Sequence, residues 1–112
     1  MKLSVIIPAF NEENTIVTIL NSIQKVVLDN NIKKEIIIVN DCSKDKTEDK
    51  ITAYMSAHRD LDIQYFKHEK NQGKGAAIHT GIKGATGDYI IVQDADLEYD
   101  PQEFNLLIKP II

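Results

Sequence analysis

At 112 residues, 43% hydrophobic and 27% charged, the chain has the composition of one ordinary globular domain and not of a disordered segment. Its net charge of −4, with no basic stripe interleaved with aromatics, argues against a nucleic-acid partner. The single cysteine, Cys42, excludes an intrachain disulfide and a Cys-rich zinc site. A strand begins directly after Lys2 and no apolar run reaches membrane-spanning length, so neither a signal peptide nor a transmembrane helix is expected.

In chain order, Leu3–Pro8 is a continuous apolar run closed by proline, the pattern of a buried strand. Ala9-Phe-Asn11-Glu-Glu13 follows, and then Ile16, Ile19, Leu20, Ile23 and Val27 recur at helical spacing. Asn11 suits the N-cap of that helix, with Glu12 and Glu13 at the positive end of its dipole. Asp29-Asn-Asn31 breaks the pattern, and Glu35–Val39 is a second strand running into Asn40-Asp41-Cys42-Ser43. A second helix from about Lys46 presents Ile51, Tyr54 and Met55. Ile63–Phe66 is a third, weaker strand, and His68–Gly73 a polar loop. The third helix, from Lys74, is rich in small residues, and its glycines imply close backbone approach to a sheet or a ligand. Tyr89–Val92 is the fourth strand. Asp100-Pro101-Gln-Glu103 has the form of a capped helix start, with helical pattern still running at Ile111-Ile112, as expected of a truncated single domain spanning residues 1–112.

Four β-α units with apolar strands predict an α/β fold, a mostly parallel sheet with helices on both faces. Its strand-to-helix loops share the carboxyl rim, where ligands bind in open α/β sheets. Asp94, Asp96 and Glu98 alternate just past the fourth strand, which turns three acidic groups to one side of extended backbone. Clustered carboxylates repel, and a hard divalent cation such as Mg²⁺ relieves the repulsion. The bland reading is a solvated acidic loop. Asn40 and Asp41 are either turn chemistry or ligand contacts. Gly73-Lys-Gly75 lacks the complete phosphate-loop and dinucleotide fingerprints and is weak alone. His58 and His68 read as surface residues, His79 as a candidate ligand contact by position, and Cys42 as a packed turn residue.

Ser4–Glu13, Val39–Thr47, Asn71–Ala77 and Gln93–Pro101 together resemble family 2 glycosyltransferases of the GT-A fold, in particular the dolichyl- or polyprenyl-phosphate sugar transferases. The resemblance covers the whole chain, in order. It implies a Rossmann-like donor-binding half and a nucleotide-diphospho-sugar partner of the GDP-mannose or UDP-glucose type. By position, Pro8, Ala9, Phe10 and Glu12 would border the nucleoside, Asp41 would hydrogen-bond the base, and Lys74 would lie near the sugar or diphosphate. Asp94 would contact the ribose or sugar, and Asp96, assisted by Glu98, would bind Mg²⁺ or Mn²⁺. Sugar transfer with inversion to a lipid-phosphate or saccharide acceptor is implied, yet no residue here is identified as the catalytic base. The chain alone is therefore expected to be inactive in transfer. The expected location is cytoplasmic, with any membrane association carried by segments outside this sequence. Cys42 stands where relatives often carry Gly, which speaks against a positive-φ turn. His79 stands where they commonly carry Arg, which removes one diphosphate contact.

Three other readings compete. A haloacid-dehalogenase-type enzyme would use Asp94 as phosphoryl acceptor, although Glu98 and the late position of the motif depart from that pattern. A non-catalytic nucleotide-binding or assembly module would keep the fold without transfer. A receiver-like domain fails because its acidic pair should stand directly after the first strand, where Pro8-Ala-Phe-Asn11 is not acidic. The side of the sheet where later strands would join is expected to expose apolar surface and an unpaired edge, and to invite self-association.

Overall fold

The computed structural model describes residues 1–26 and 32–94, which form three β-α units and a fourth strand in the expected order. The elements are β1 (Lys2–Ala9), α1 (Ile16–Lys25), β2 (Lys33–Asn40), α2 (Thr47–Ala57), β3 (Ile63–Lys67), α3 (Lys74–Gly84) and β4 (Tyr89–Val92). All pairings are parallel, and the strand order is β3-β2-β1-β4. The fold class is thus the one read from the sequence, a parallel sheet with helices on both faces.

Alternation along β1 and β2 divides the core into two layers. Leu3, Val5, Ile7, Ile36 and Ile38 point to one face, where they meet Ile16, Ile19, Leu20 and Ile23 of α1 and Ile51 and Tyr54 of α2. Ile6, Ile37 and Val39 point to the other face and pack with Ala77 of α3. The small residues of α3 have their reason here. A Cβ on Gly81 would lie 2.5 Å from Cγ2 of Ile6, so only glycine lets the helix sit this close to β1.

Chain order and strand order together create a topological switch. From β1 the chain winds outward through β2 to β3 with α1 and α2 on one face, then returns through α3 on the opposite face to β4, on the far side of β1. The loop after β1 leads to α1 on one face and the loop after β3 to α3 on the other, and a crevice opens beside β1 at the carboxyl rim.

Two local expectations need correction. Asn11 is not the N-cap of the first helix: α1 starts at Ile16 with Thr15 at the cap position, and Glu12 and Glu13 precede the first turn. Asn11 instead adopts φ 53° and clamps a neighbouring loop, its N–H donating to Ser43 Oγ (2.9 Å) and its side-chain oxygen accepting from the Lys44 N–H (2.8 Å). The Glu12 N–H joins the clamp by donating to Thr47 Oγ1 (2.8 Å). These long-range partners outcompete local capping. Cys42 is the second correction. It takes φ 61° despite its side chain, in a turn tied down by the Asn40 side chain accepting from the Ser43 N–H and by the Cys42 thiol directed at the Glu69 carbonyl. Val27 lies outside the described residues, and Val26 ends the buried stripe of α1.

The last turn of α1 leaves carbonyls without helical partners. Lys34, at the start of β2, supplies them: its ammonium donates to the carbonyls of Ile23 (2.6 Å), Gln24 (3.0 Å) and Val26. Burial lowers the pKa of this lysine from its ordinary value. At the edge of the described sheet, β4 leaves Ile90 (44%) and Val92 (38%) exposed on the α3 side, the apolar surface expected there.

Candidate functional site

A cleft of about 370 Å³ opens at the switch point between β1 and β4. The end of β1 and the turn after it contribute Pro8, Ala9, Phe10 and Glu12, the end of β2 contributes Asp41, and the residue pair after β4 ends at Asp94. The far wall is the start of α3 and its approach: Asn71, Gly73, Lys74 and Ala77. Seven residues singled out from the sequence (Pro8, Ala9, Phe10, Glu12, Asp41, Lys74 and Asp94) thus line one cavity, although 86 positions separate the first from the last. Asp96 and Glu98, the expected metal ligands, lie outside the described residues. Among the described residues no group of three His, Cys, Asp or Glu side chains gathers in a metal-binding arrangement. Of the acidic triplet, Asp94 falls within the described residues, and it stands on the cleft wall.

The chemistry of the cleft is mixed. Phe10 lines it and is 42% exposed. The first turn of α3 presents backbone N–H groups and the positive end of the helix dipole, and its cap residue Gly73 holds φ 95°, a conformation that suits glycine. Lys74 forms an ion pair with Asp94, joining the α3 wall to the β4 wall. The cleft lining therefore combines an aromatic ring with a cation, a helix N-terminus and carboxylates. That set suits a ligand with a flat ring system and an anionic tail.

Asp41 also lines the cleft and is almost fully buried. Burial on its own would raise its carboxyl pKa. Hydrogen bonds from the Gln72 N–H, from His68 and from the Gly73 N–H, with the charge of His68, outweigh that and hold it below the usual carboxylate range. All three donors lie at 2.8 Å.

His68 corrects the surface reading given above: it is only 8% exposed. Its Nδ1 lies 2.8 Å from Asp41 Oδ1 and its Nε2 2.8 Å from Thr80 Oγ1 of α3. The one signal in the sequence was its position directly after a strand, on the rim where ligands bind. The turn-rich residues after it masked that signal. His58 is also not a free surface group, since it stacks on Tyr54 with ring centroids 4.0 Å apart. His79 is exposed and is not part of the cleft wall. Asn40 serves the turn, its amide donating to the Tyr65 hydroxyl (3.0 Å) while its oxygen accepts from the Ser43 N–H (3.0 Å).

Comparison with known proteins decides the family. Residues 4–112 match the family described as glycosyl transferase family 2. The chain belongs to that family. Among relatives of this glycosyltransferase domain, a dolichyl-phosphate beta-glucosyltransferase from Dictyostelium discoideum is 35% identical over 108 residues, covering 92% of this chain and 33% of that protein. A mannosyltransferase from Pyrobaculum calidifontis, solved in complex with GDP-Man and Mn²⁺, superposes with a TM-score of 0.81 at 27% identity, covering 90% of this chain and 29% of that one. The glucosyl-3-phosphoglycerate synthase from Mycobacterium tuberculosis, in complex with Mn²⁺, uridine diphosphate and glucosyl-3-phosphoglycerate, superposes with a TM-score of 0.75 at 28% identity, covering 98% of this chain and 39% of that one. The sheet and its flanking helices are accordingly those of the Rossmann-like GT-A fold. The domain spans about a third of the length of that Dictyostelium relative. No helix among the described residues is long and apolar enough to cross a membrane.

Proposed function

We propose that this domain binds the nucleotide-diphospho-sugar donor of a family 2 glycosyltransferase, in the cleft at the switch point. The observation that carries the reading is the convergence of the β1 end, Asp41, the start of α3 and Asp94 on one cavity that combines an aromatic ring with ionic groups and a helix N-terminus. Phe10, with Pro8, Ala9 and Glu12, borders the nucleoside, and Asp41 accepts a hydrogen bond from the base. Lys74 leaves Asp94 to meet the diphosphate, aided by the α3 N-terminus, and Asp94 turns to the ribose or sugar hydroxyls.

Asp96, assisted by Glu98, would hold Mg²⁺ or Mn²⁺, which when bound neutralises the leaving diphosphate. That the mannosyltransferase and the synthase described above were solved with Mn²⁺ supports this assignment. In the proposed reaction an acceptor oxygen attacks the anomeric carbon from the face opposite the diphosphate. The anomeric carbon–oxygen bond to the diphosphate breaks, the configuration inverts, and the nucleoside diphosphate departs with the bonding pair. The likeness to the Dictyostelium enzyme favours a lipid-phosphate acceptor. No residue of this chain is assigned as the base that takes the acceptor's proton, so donor binding is the activity proposed for the chain itself. A nucleotide-binding module without transfer is the same proposal minus that final step.

Calorimetric titration with UDP- and GDP-sugars, with and without Mn²⁺, tests the reading. One nucleotide class is expected to bind in a Mn²⁺-dependent manner, and Asp96→Ala to abolish that dependence. Absence of binding by either class, or binding indifferent to Asp96→Ala and to Mn²⁺, would sink it.

A further inference from the structure

The direction in which Asp41 offers its lone pairs is set from outside its own strand. Oδ1 receives both the His68 ring and the Gln72 N–H, and among the described residues Oδ2 receives only the Gly73 N–H, so Oδ2 keeps acceptor capacity on a residue that lines the cleft. With an ionised carboxylate, Nδ1 of His68 is the donor. Nε2 pairs with the Thr80 hydroxyl of α3, accepting from it when the ring is neutral and donating to it when the ring is charged. Thr80, His68 and Asp41 thus form one relay from the middle of α3, past the end of β3, to the residue after β2. His68 and Asp41 are buried, Thr80 is half-buried, and the relay ends on a cleft residue.

We propose that His68 is a positioning residue: by holding Asp41 from behind, it fixes the carboxylate so that the cleft selects bases with a ring N–H. Uracil and guanine present such a donor. Cytosine and adenine present a bare ring nitrogen at the corresponding place, whose lone pair a fixed carboxylate repels. A carboxylate free to rotate could evade that repulsion and accept instead from an exocyclic amino group, so selectivity depends on the relay. This inference rests on the donor-binding reading above.

The test compares His68→Asn, which keeps an amide N–H where Nδ1 stood, with His68→Gln, whose amide reaches only toward Thr80, and with Thr80→Val. Dissociation constants for UDP, GDP and CDP are measured with Mn²⁺ for each full-length chain, with inorganic pyrophosphate as the base-free control. The wild-type chain is expected to favour UDP or GDP over CDP by about ten-fold. His68→Gln should shrink that ratio roughly five-fold, His68→Asn should keep it within about two-fold, and Thr80→Val should fall between. Pyrophosphate affinity should not move. An unchanged ratio in His68→Gln, or a wild-type chain that binds nucleotides without preference, overturns the proposal. If no nucleotide binds, the donor-binding reading itself has failed. Amide hydrogen exchange still decides the positioning role without ligand: the Gln72 and Gly73 amides should exchange faster in His68→Gln than in His68→Asn, and equal rates refute it. Should His68→Gln not fold, Thr80→Val carries both measurements.

Discussion

Strand β2 carries a buried carboxylate near each end, and the two differ in what surrounds them. Glu35, at the amino end, accepts from the Ser4 hydroxyl (2.7 Å), from the Thr86 N–H and hydroxyl (2.9 Å each) and from the Gln64 amide. Burial would raise its pKa, but the bonds from Ser4, Thr86 and Gln64 outweigh it and leave the carboxyl below its ordinary value. Asp41, at the carboxyl end, is equally buried and shifted the same way, yet it lines a cavity. Burial and a depressed pKa therefore do not mark a binding residue. Glu35 is closed on all sides and welds β1, β2, β3 and the α3–β4 connection together. Asp41 stands at the switch point and keeps acceptor capacity for something else.

The largest effect should come from breaking the closed end. Glu35→Ala leaves the partners of this network without their acceptor and should cost about 3 kcal/mol in urea unfolding. Nucleotide binding by the fraction still folded should persist. The same network sets an acid limit. The folded-state pKa values of Glu35 and Asp41 lie below their unfolded values, so their stabilisation is fully present above the ordinary carboxyl range near ~4 and is lost as pH falls through the depressed values. The urea midpoint should drop as acid is added below that range, and Glu35→Gln should flatten the drop.

Gly81→Ala is expected to rank next. The new methyl gains helix propensity of roughly 1 kcal/mol but meets the branched carbon of Ile6, and overpacking of that kind typically costs about 2 kcal/mol, leaving a net loss of about 1 kcal/mol. Thermal unfolding would show it. Lys74→Ala should do the reverse of Glu35→Ala. Its ion pair is largely exposed on the lysine side, so stability should change by less than about 0.5 kcal/mol, while nucleoside-diphosphate affinity drops about ten-fold. A stability loss as large as that of Glu35→Ala would erase the distinction between the two ends of the sheet. The smallest expected effect lies at the edge: Ile90→Lys should reduce any concentration-dependent self-association seen by light scattering, without altering binding.

Most of this architecture was legible because strands and helices announce themselves locally. Val5–Ile7 and Ile36–Val39 need no partner to read as buried strands, and the alternation of strand and helix then dictates which rim the loops share. The cleft residues followed from that rim and from the family resemblance. What escaped was set by distant partners. Glu35 read as an ordinary strand residue because Ser4 and Thr86 stand 31 and 51 positions away from it. Asn11 had the chemistry of a helix cap and was drawn to Ser43 and Lys44 instead. His68 sat in a run of turn residues, and the placement of Asp41 and Thr80 on either side of it turned a loop histidine into the buried middle of a relay.

The clamp that joins Asn11 and Glu12 to residues 43, 44 and 47 has a kinetic and entropic meaning. The two loops beneath the proposed nucleoside end are cross-braced before any guest arrives, so docking there has little backbone freedom left to freeze. Backbone relaxation in residues 11–15 and 43–47 should accordingly be almost the same in the empty and loaded protein. The affinity of that end would then reflect the fit of a ready-made seat instead of the folding of a loop around its occupant.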